Sequence, residues 1–160
     1  MLIRKTTRED VPFVADIYAE AKKFMRESGN PTQWNGAYPN GESALSDIEK
    51  GIGYVCCDGD EIVAVFAFSV DNEPTYDLIH DGEWKKTGEY AFIHRIAVKH
   101  RGRGIIDFCF EQCFKMYPNL RIDTHRNNIP MQKVLKRNGF EYCGIIFLEN
   151  GDERLAYQKV

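Results

Sequence analysis

The chain has 160 residues, of which 43% are hydrophobic, 12% aromatic and 28% charged. That length suits one compact domain spanning 1-160 and excludes two complete catalytic domains, and the apolar share is too high for a disordered chain. With 21 basic against 24 acidic residues the formal net charge is -3. No global positive field exists to hold a nucleic acid, so any anion site must be local.

Leu2 to Lys5 reads as a short first strand. A helix follows from near Asp10, which is placed to cap it, with Pro12 in the first turn where no amide partner is needed. Val11, Val14, Ile17, Tyr18, Ala21, Phe24 and Met25 recur at helical spacing and form its core face. Gly29 ends the helix, and the stretch from Asn30 to Gly41 breaks regular structure while keeping Trp34 and Tyr38. A second helix covers about Glu42 to Lys50. Tyr54 to Cys57 and Glu61 to Val70 are strands joined at Asp58-Gly59 as an antiparallel hairpin.

The polar run from Asp71 to Gly88 is long enough for a functional loop, and Glu89 to Val98 returns to strand character. Gly104 to Tyr117 is apolar nearly all round, as a helix buried against a sheet would be, and Pro118 stops it. Leu120 to Thr124 reads as a strand, Ile129 to Arg137 as a helix ended by Gly139, and Phe140 to Leu148 with Glu153 to Lys159 as a closing hairpin. The strand, helix, strand order of Glu89 to Thr124 makes a parallel unit. The fold class is therefore α+β, with a mixed sheet of about seven strands.

The five cysteines are odd in number and include the neighbours Cys56 and Cys57, which argues against a disulfide framework and for core thiols. No cysteine or histidine spacing matches a metal site, so no metal is expected. The first ten residues turn charged at once, and no apolar run approaches a membrane span. The cytoplasm is the expected compartment.

The most informative segment is Val98-Lys99-His100-Arg101-Gly102-Arg103-Gly104-Ile105-Ile106, where a strand passes through a basic, glycine-containing turn into a helix. Glycines let the backbone approach a ligand, the free amides of a helix start point outward, and the dipole with Arg101 and Arg103 favours a pyrophosphate. The P-loop pattern is absent, and the dinucleotide fingerprint fails because Asp107 stands where its third glycine belongs.

What remains, Arg101-x-x-Gly104, resembles the pyrophosphate turn of the GNAT superfamily of N-acetyltransferases. The resemblance extends along nearly the whole chain, through Asn128 at the start of the last helix and Asn138-Gly139-Phe140 at its end. It implies a GNAT-like, mostly antiparallel sheet with a parallel pair between the fourth and fifth strands, helices on both faces, and a bulge near Arg95 and Ile96. It also implies that acetyl-CoA is the co-substrate. Its pyrophosphate would meet Arg101, Gly102, Arg103, Gly104, Ile105 and Ile106, and its pantetheine would meet the Ile96 and Val98 main chain and Asn128. The chain departs from the pattern at Ile106, where glycine or alanine is usual, and at Leu135, where many members place the tyrosine that protonates the leaving thiolate.

Attack of an amine on a thioester needs a proton acceptor at neutral pH. His94, which period-two alternation groups with Phe92, Ile96 and Val98, is the candidate base, and some amine-acetylating members carry a histidine there. Glu89 at the mouth of the same strand is the alternative, and Tyr142, His125 and Cys143 are the remaining candidates for the acid. Trp34 and Tyr38, with Tyr76 and Trp84 from the loop before the fourth strand, stand where the superfamily walls its acceptor site. The expected activity is acetyl transfer from acetyl-CoA to a small-molecule amine by direct attack in a ternary complex. The alternative is a CoA-binding sensor or scaffold with little or no transferase activity. Neither nucleic acid nor membrane is an expected partner, and a homodimer is left open.

Overall fold

A computed structural model describes residues 1–160. In chain order it contains β1 (Leu2–Lys5), a 3₁₀ turn (Arg8–Asp10), α1 (Val11–Glu27), α2 (Gly41–Lys50), β2 (Gly53–Asp58) and β3 (Glu61–Val70). A second 3₁₀ turn (Pro74–Tyr76), β4 (Ala91–Val98), α3 (Ile105–Met116), β5 (Leu120–Thr124), α4 (Ile129–Arg137), β6 (Glu141–Phe147) and β7 (Glu153–Lys159) follow. The seven strands form one sheet in the order β1-β2-β3-β4-β5-β7-β6. Only β4 and β5 are parallel; every other neighbouring pair is antiparallel.

Local chemistry accounts for most boundaries. The Asn40 side chain accepts from the amides of Glu42 and Ser43 at the start of α2, and Gly51 closes that helix with a φ of 70°. Asp10 does not cap α1 as expected. Its carboxylate turns back to accept from the Thr7 amide at 2.7 Å and pairs with Arg4 at 2.7 and 2.9 Å, because a guanidinium offers more than one further amide would. The first hairpin turns at Gly59-Asp60 rather than Asp58-Gly59, since Asp58 still pairs with Glu61.

The main core lies between the sheet and α3 with α4, where Phe66, Ile93, Phe110, Leu120, Leu135 and Phe140 meet. On the opposite face α1 and α2 bury Val14, Ile17, Tyr18 and Ala44 against Val55, Val65 and Ala97. The long loop between β3 and β4 covers the rest of that face through Tyr76, Tyr90, Phe92, Ile146 and Ala156. It is pinned to β6 by paired backbone bonds between His80 and Ile145, and Gly82 lies so close to the Cys143 carbonyl that a Cβ would overlap it at 1.9 Å. All five cysteines are free and buried, Cys109 and Cys113 together in the main core.

Two irregularities of β4 open the sheet. Its pairing with β5 is confined to Ala91↔Leu120 and Phe92↔Arg121, after which the strands diverge. Opposite β3 the register passes from Ala67↔His94 to Val65↔Ala97, a bulge at which Arg95 takes a φ of 53°, rare outside glycine. The extra residue inverts the facing that period-two alternation predicts. Ile96 and Val98 pack with Ile93 against the α3 side, while His94 stays with Phe92 and Tyr76 on the other.

Candidate active site

The turn after β4 forms a cradle of main-chain donors. Gly102 and Gly104 adopt φ values of 76° and 72°, a left-handed conformation that glycine takes without strain. Across Arg101 to Asp107 no backbone amide donates to an acceptor within the protein. Such a run of unmatched amides at a helix start is an anion-binding arrangement. Arg101 holds its guanidinium 3.5 Å over the ring of Phe24 on α1, so the helix across the groove fixes the cation at the cradle. Ile106, the unusual residue here, packs its side chain on the main core and leaves its amide unmatched.

A groove of about 470 Å³ runs from this cradle along the unpaired half of β4, between α1 and α4. Ile96, Val98, Arg101, Gly102, Gly104, Ile105, Ile106 and Asn128 all line it, whereas Arg103 is exposed and does not. Asn128 is buried, and its side chain works mainly within the fold. Its Oδ1 accepts from the Met131 amide at 3.1 Å, and its Nδ2 donates to Gln33 at 2.9 Å. Phe24, Met25, Met131 and Val134 complete the apolar walls. The sequence marks Phe24 only as part of a helical core face, and its cation contact depends on where α1 lies.

A second cavity of about 180 Å³ occupies the divergence of β4 and β5 and shares Met25, Ile96, Asn128 and Met131 with the groove. His94, Trp34 and Tyr38 line it, as do Asp123 and Thr124 at the end of β5 and Arg154 of β7. Tyr38 accepts a hydrogen bond from Arg95 at 2.8 Å, and Arg95 also pairs with buried Asp47 of α2. Tyr76 is not a wall residue: it is 1% exposed, donates to Asp123 at 2.7 Å, and has its hydroxyl 3.4 Å from His94 Nε2. Glu73, from the same loop, places a carboxylate oxygen 4.0 Å from that nitrogen. Trp84 donates to the Tyr76 carbonyl and stacks on Arg121, behind the cavity.

Burial holds the His94 imidazole below the ordinary histidine range, against the opposing pull of Asp123 and Glu73. It is therefore neutral at pH 7. Burial, reinforced by Asp123, raises the Tyr76 hydroxyl well above the usual tyrosine value, so it stays protonated and keeps donating. Because its single proton goes to Asp123, the hydroxyl meets His94 Nε2 as an acceptor, which places the histidine proton on Nε2 and the lone pair on Nδ1.

The other candidates lie elsewhere. Glu89 accepts from Tyr117 at 2.7 Å and lines neither cavity. Leu135 is fully buried, Tyr142 is on an outer surface, the Cys143 thiol donates to the Glu141 carbonyl, and His125 is bonded to the Asn127 amide and Thr32. Asp123, Glu73 and Arg154 escape sequence reasoning because a lone acid on a strand or in a loop and an arginine on a hairpin carry no spacing signal. No helix is long and apolar enough to cross a membrane.

These features match known structures over the whole chain. An acetyltransferase of the GNAT family from Streptococcus agalactiae superposes with a TM-score of 0.91 at 30% identity, covering 99% of this chain and 94% of that one. The chain belongs to the GNAT family of acetyltransferases. Ribosomal-protein-alanine N-acetyltransferase from Brucella melitensis shares the fold at 19% identity and a TM-score of 0.69, covering 100% of this chain and 99% of that one. RimL, a ribosomal L7/L12 alpha-N-protein acetyltransferase in complex with coenzyme A, shares it at 16% identity and a TM-score of 0.65, with coverages of 99% and 92%. No family model and no curated protein matches the chain by sequence.

Proposed function

We propose that residues 1–160 form a single catalytic domain that transfers an acetyl group from acetyl-CoA to the amine of a small molecule, by direct attack in a ternary complex. The observation that carries this reading is the adjacency of the two cavities, which share four lining residues. The amide cradle lies at one end, His94 at the other, and the open edge of β4 between them.

The amides of residues 101–107 and the guanidinium of Arg101 bind the pyrophosphate. The unpaired main chain of Ile96 and Val98 pairs with the pantetheine amides as an added strand would, and Asn128 shapes the arm's path while capping α4. The thioester then lies where β4 and β5 separate. His94, neutral through burial, takes the amine proton at Nδ1 as nitrogen attacks the carbonyl. The resulting imidazolium keeps Nε2–H against Tyr76 and Glu73, with Asp123 behind. Collapse of the tetrahedral adduct breaks the carbon–sulfur bond and releases CoA thiolate. Its thiol is a good leaving group, with an ordinary thiol pKa of ~8.5. The proton it needs comes back from His94, because Leu135 offers none.

A cavity of about 180 Å³ is smaller than the ~300–1,000 Å³ usual for drug-sized ligands, which favours a small acceptor. The test is thiol release from acetyl-CoA across a panel of amines. His94→Ala lowers kcat by about 10²–10⁴-fold and leaves acetyl-CoA affinity, measured by calorimetry, unchanged. Turnover within about twofold of the parent, judged against that range, removes His94 as base. Tight acetyl-CoA binding with no thiol release from any amine supports the sensor instead.

A further inference from the structure

Arg154 poses a charge problem that acetyl transfer does not explain. It is 6% exposed, near the start of β7, and lines the smaller cavity. It forms no ion pair. Its bonds run to main-chain carbonyls, at 2.9 Å to Glu153 and 3.4 Å to Gln33, which accept hydrogen bonds without cancelling the charge. The acids beside it on its own hairpin are committed elsewhere. Glu153 sends its carboxylate to Arg126 at 2.6 and 2.9 Å, and Asp152 takes the Asn150 side-chain amide. A buried cation with no counter-charge is costly, and the cost is relieved when an anion enters beside it.

The same cavity holds a second unmatched group. Thr124 is fully buried, and its hydroxyl has no hydrogen-bond partner. Asp123, next to it on β5, engages one carboxylate oxygen with Tyr76 and leaves the other free. The cavity is thus lined by a guanidinium that forms no ion pair and a carboxylate with one free oxygen, with a fully buried, unpartnered hydroxyl beside them.

From this we infer that the acceptor carries a carboxylate near its amine, as an amino acid does: Arg154 and the Thr124 hydroxyl hold the carboxylate, and Asp123 receives the ammonium, which gives one proton to solvent before His94 takes the second as nitrogen attacks. This rests on the reading that the cavity takes the acceptor. Charge-assisted bonds from guanidinium to carboxylate set both affinity and orientation. Trp34 and Leu148 supply the apolar wall that an aliphatic or aromatic side chain would meet.

The test is calorimetric titration of the CoA-saturated protein with L-leucine, L-methionine and L-phenylalanine, each against its carboxamide. The parent binds the acids about ten- to a hundredfold more tightly than the amides. Arg154→Met removes that preference by weakening the acids alone, and Thr124→Val reduces it several-fold. CoA affinity is unchanged in both variants. Equal binding of acid and amide by the parent overturns the inference, as does failure of all three acids to bind at millimolar concentration. A preference that survives in folded Arg154→Met overturns it too. If that variant does not fold, the parent comparison and Thr124→Val decide the matter. The readout is binding, so a lack of turnover, which counts against the transferase mechanism, leaves this test intact.

Discussion

As the proposed base, His94 depends on what surrounds it. Burial keeps the imidazole neutral near pH 7, and Asp123 and Glu73 limit how far its affinity for a proton falls. The acid limb of kcat/KM for this histidine accordingly lies below pH 6.5, the ordinary value, since activity is lost only once the ring is protonated. Asp123→Asn keeps an acceptor for the Tyr76 hydroxyl and deletes a charge that favours the imidazolium. The limb therefore moves to still lower pH, and kcat falls because the charged intermediate loses support. A pH–rate profile of the variant checks both signs; a limb that stays fixed or rises means that Asp123 does not act on His94. Glu89 shows the converse. Its type and strand suit a base, yet its carboxylate is bonded to Tyr117, away from both cavities.

At the scale of elements, the turn into α3 and the bulge in β4 divide the work. The turn offers amides that nothing in the protein uses, and Gly104 is the residue that makes its backbone path possible. A Cβ at Gly104 meets nothing within 4 Å, so substitution there leaves packing intact and tests the cradle itself. Gly104→Glu weakens acetyl-CoA binding about tenfold or more through like-charge repulsion, while Gly104→Ala isolates the backbone strain of roughly 1–2 kcal/mol. Calorimetry of the pair separates the two effects, and equal affinities in both variants would mean that the phosphates bind elsewhere. The bulge at Arg95 has a different consequence. By adding a residue to β4 it leaves His94 facing Phe92 and Tyr76 and turns Ile96 into the core behind the proposed pantetheine path, an exchange of faces that no alternation pattern contains.

Across the whole molecule, the sheet is two lobes joined by a short parallel contact. The β1 to β4 lobe carries the cradle and α1; the β5, β7, β6 lobe carries Asp123, Thr124 and Arg154. A ligand lying in the groove touches α1, β4 and α4 together and stabilises the native state as a unit. At about a hundred times its Kd, acetyl-CoA should add about 2.7 kcal/mol, a rise in Tm of roughly 5–10 °C for a chain of this size. A thermal scan showing no shift at that concentration would mean that acetyl-CoA does not bind the native state in preference to the unfolded one. Much of this architecture is legible locally. Capping residues, turn glycines and apolar periodicity mark nearly every element, and Arg101-x-x-Gly104 marks the cradle, because helix starts and tight turns depend on neighbours within a few residues. The proposed acceptor site is another matter. Trp34, Tyr76, His94, Asp123 and Arg154 come from five separate segments, and their meeting depends on the strand order β4-β5-β7 and on one bulge. Local chemistry thus marks an anion cradle in a mildly acidic chain. Only long-range packing decides which charges are left unpaired beside His94, because burial and counter-ions belong to the assembled fold.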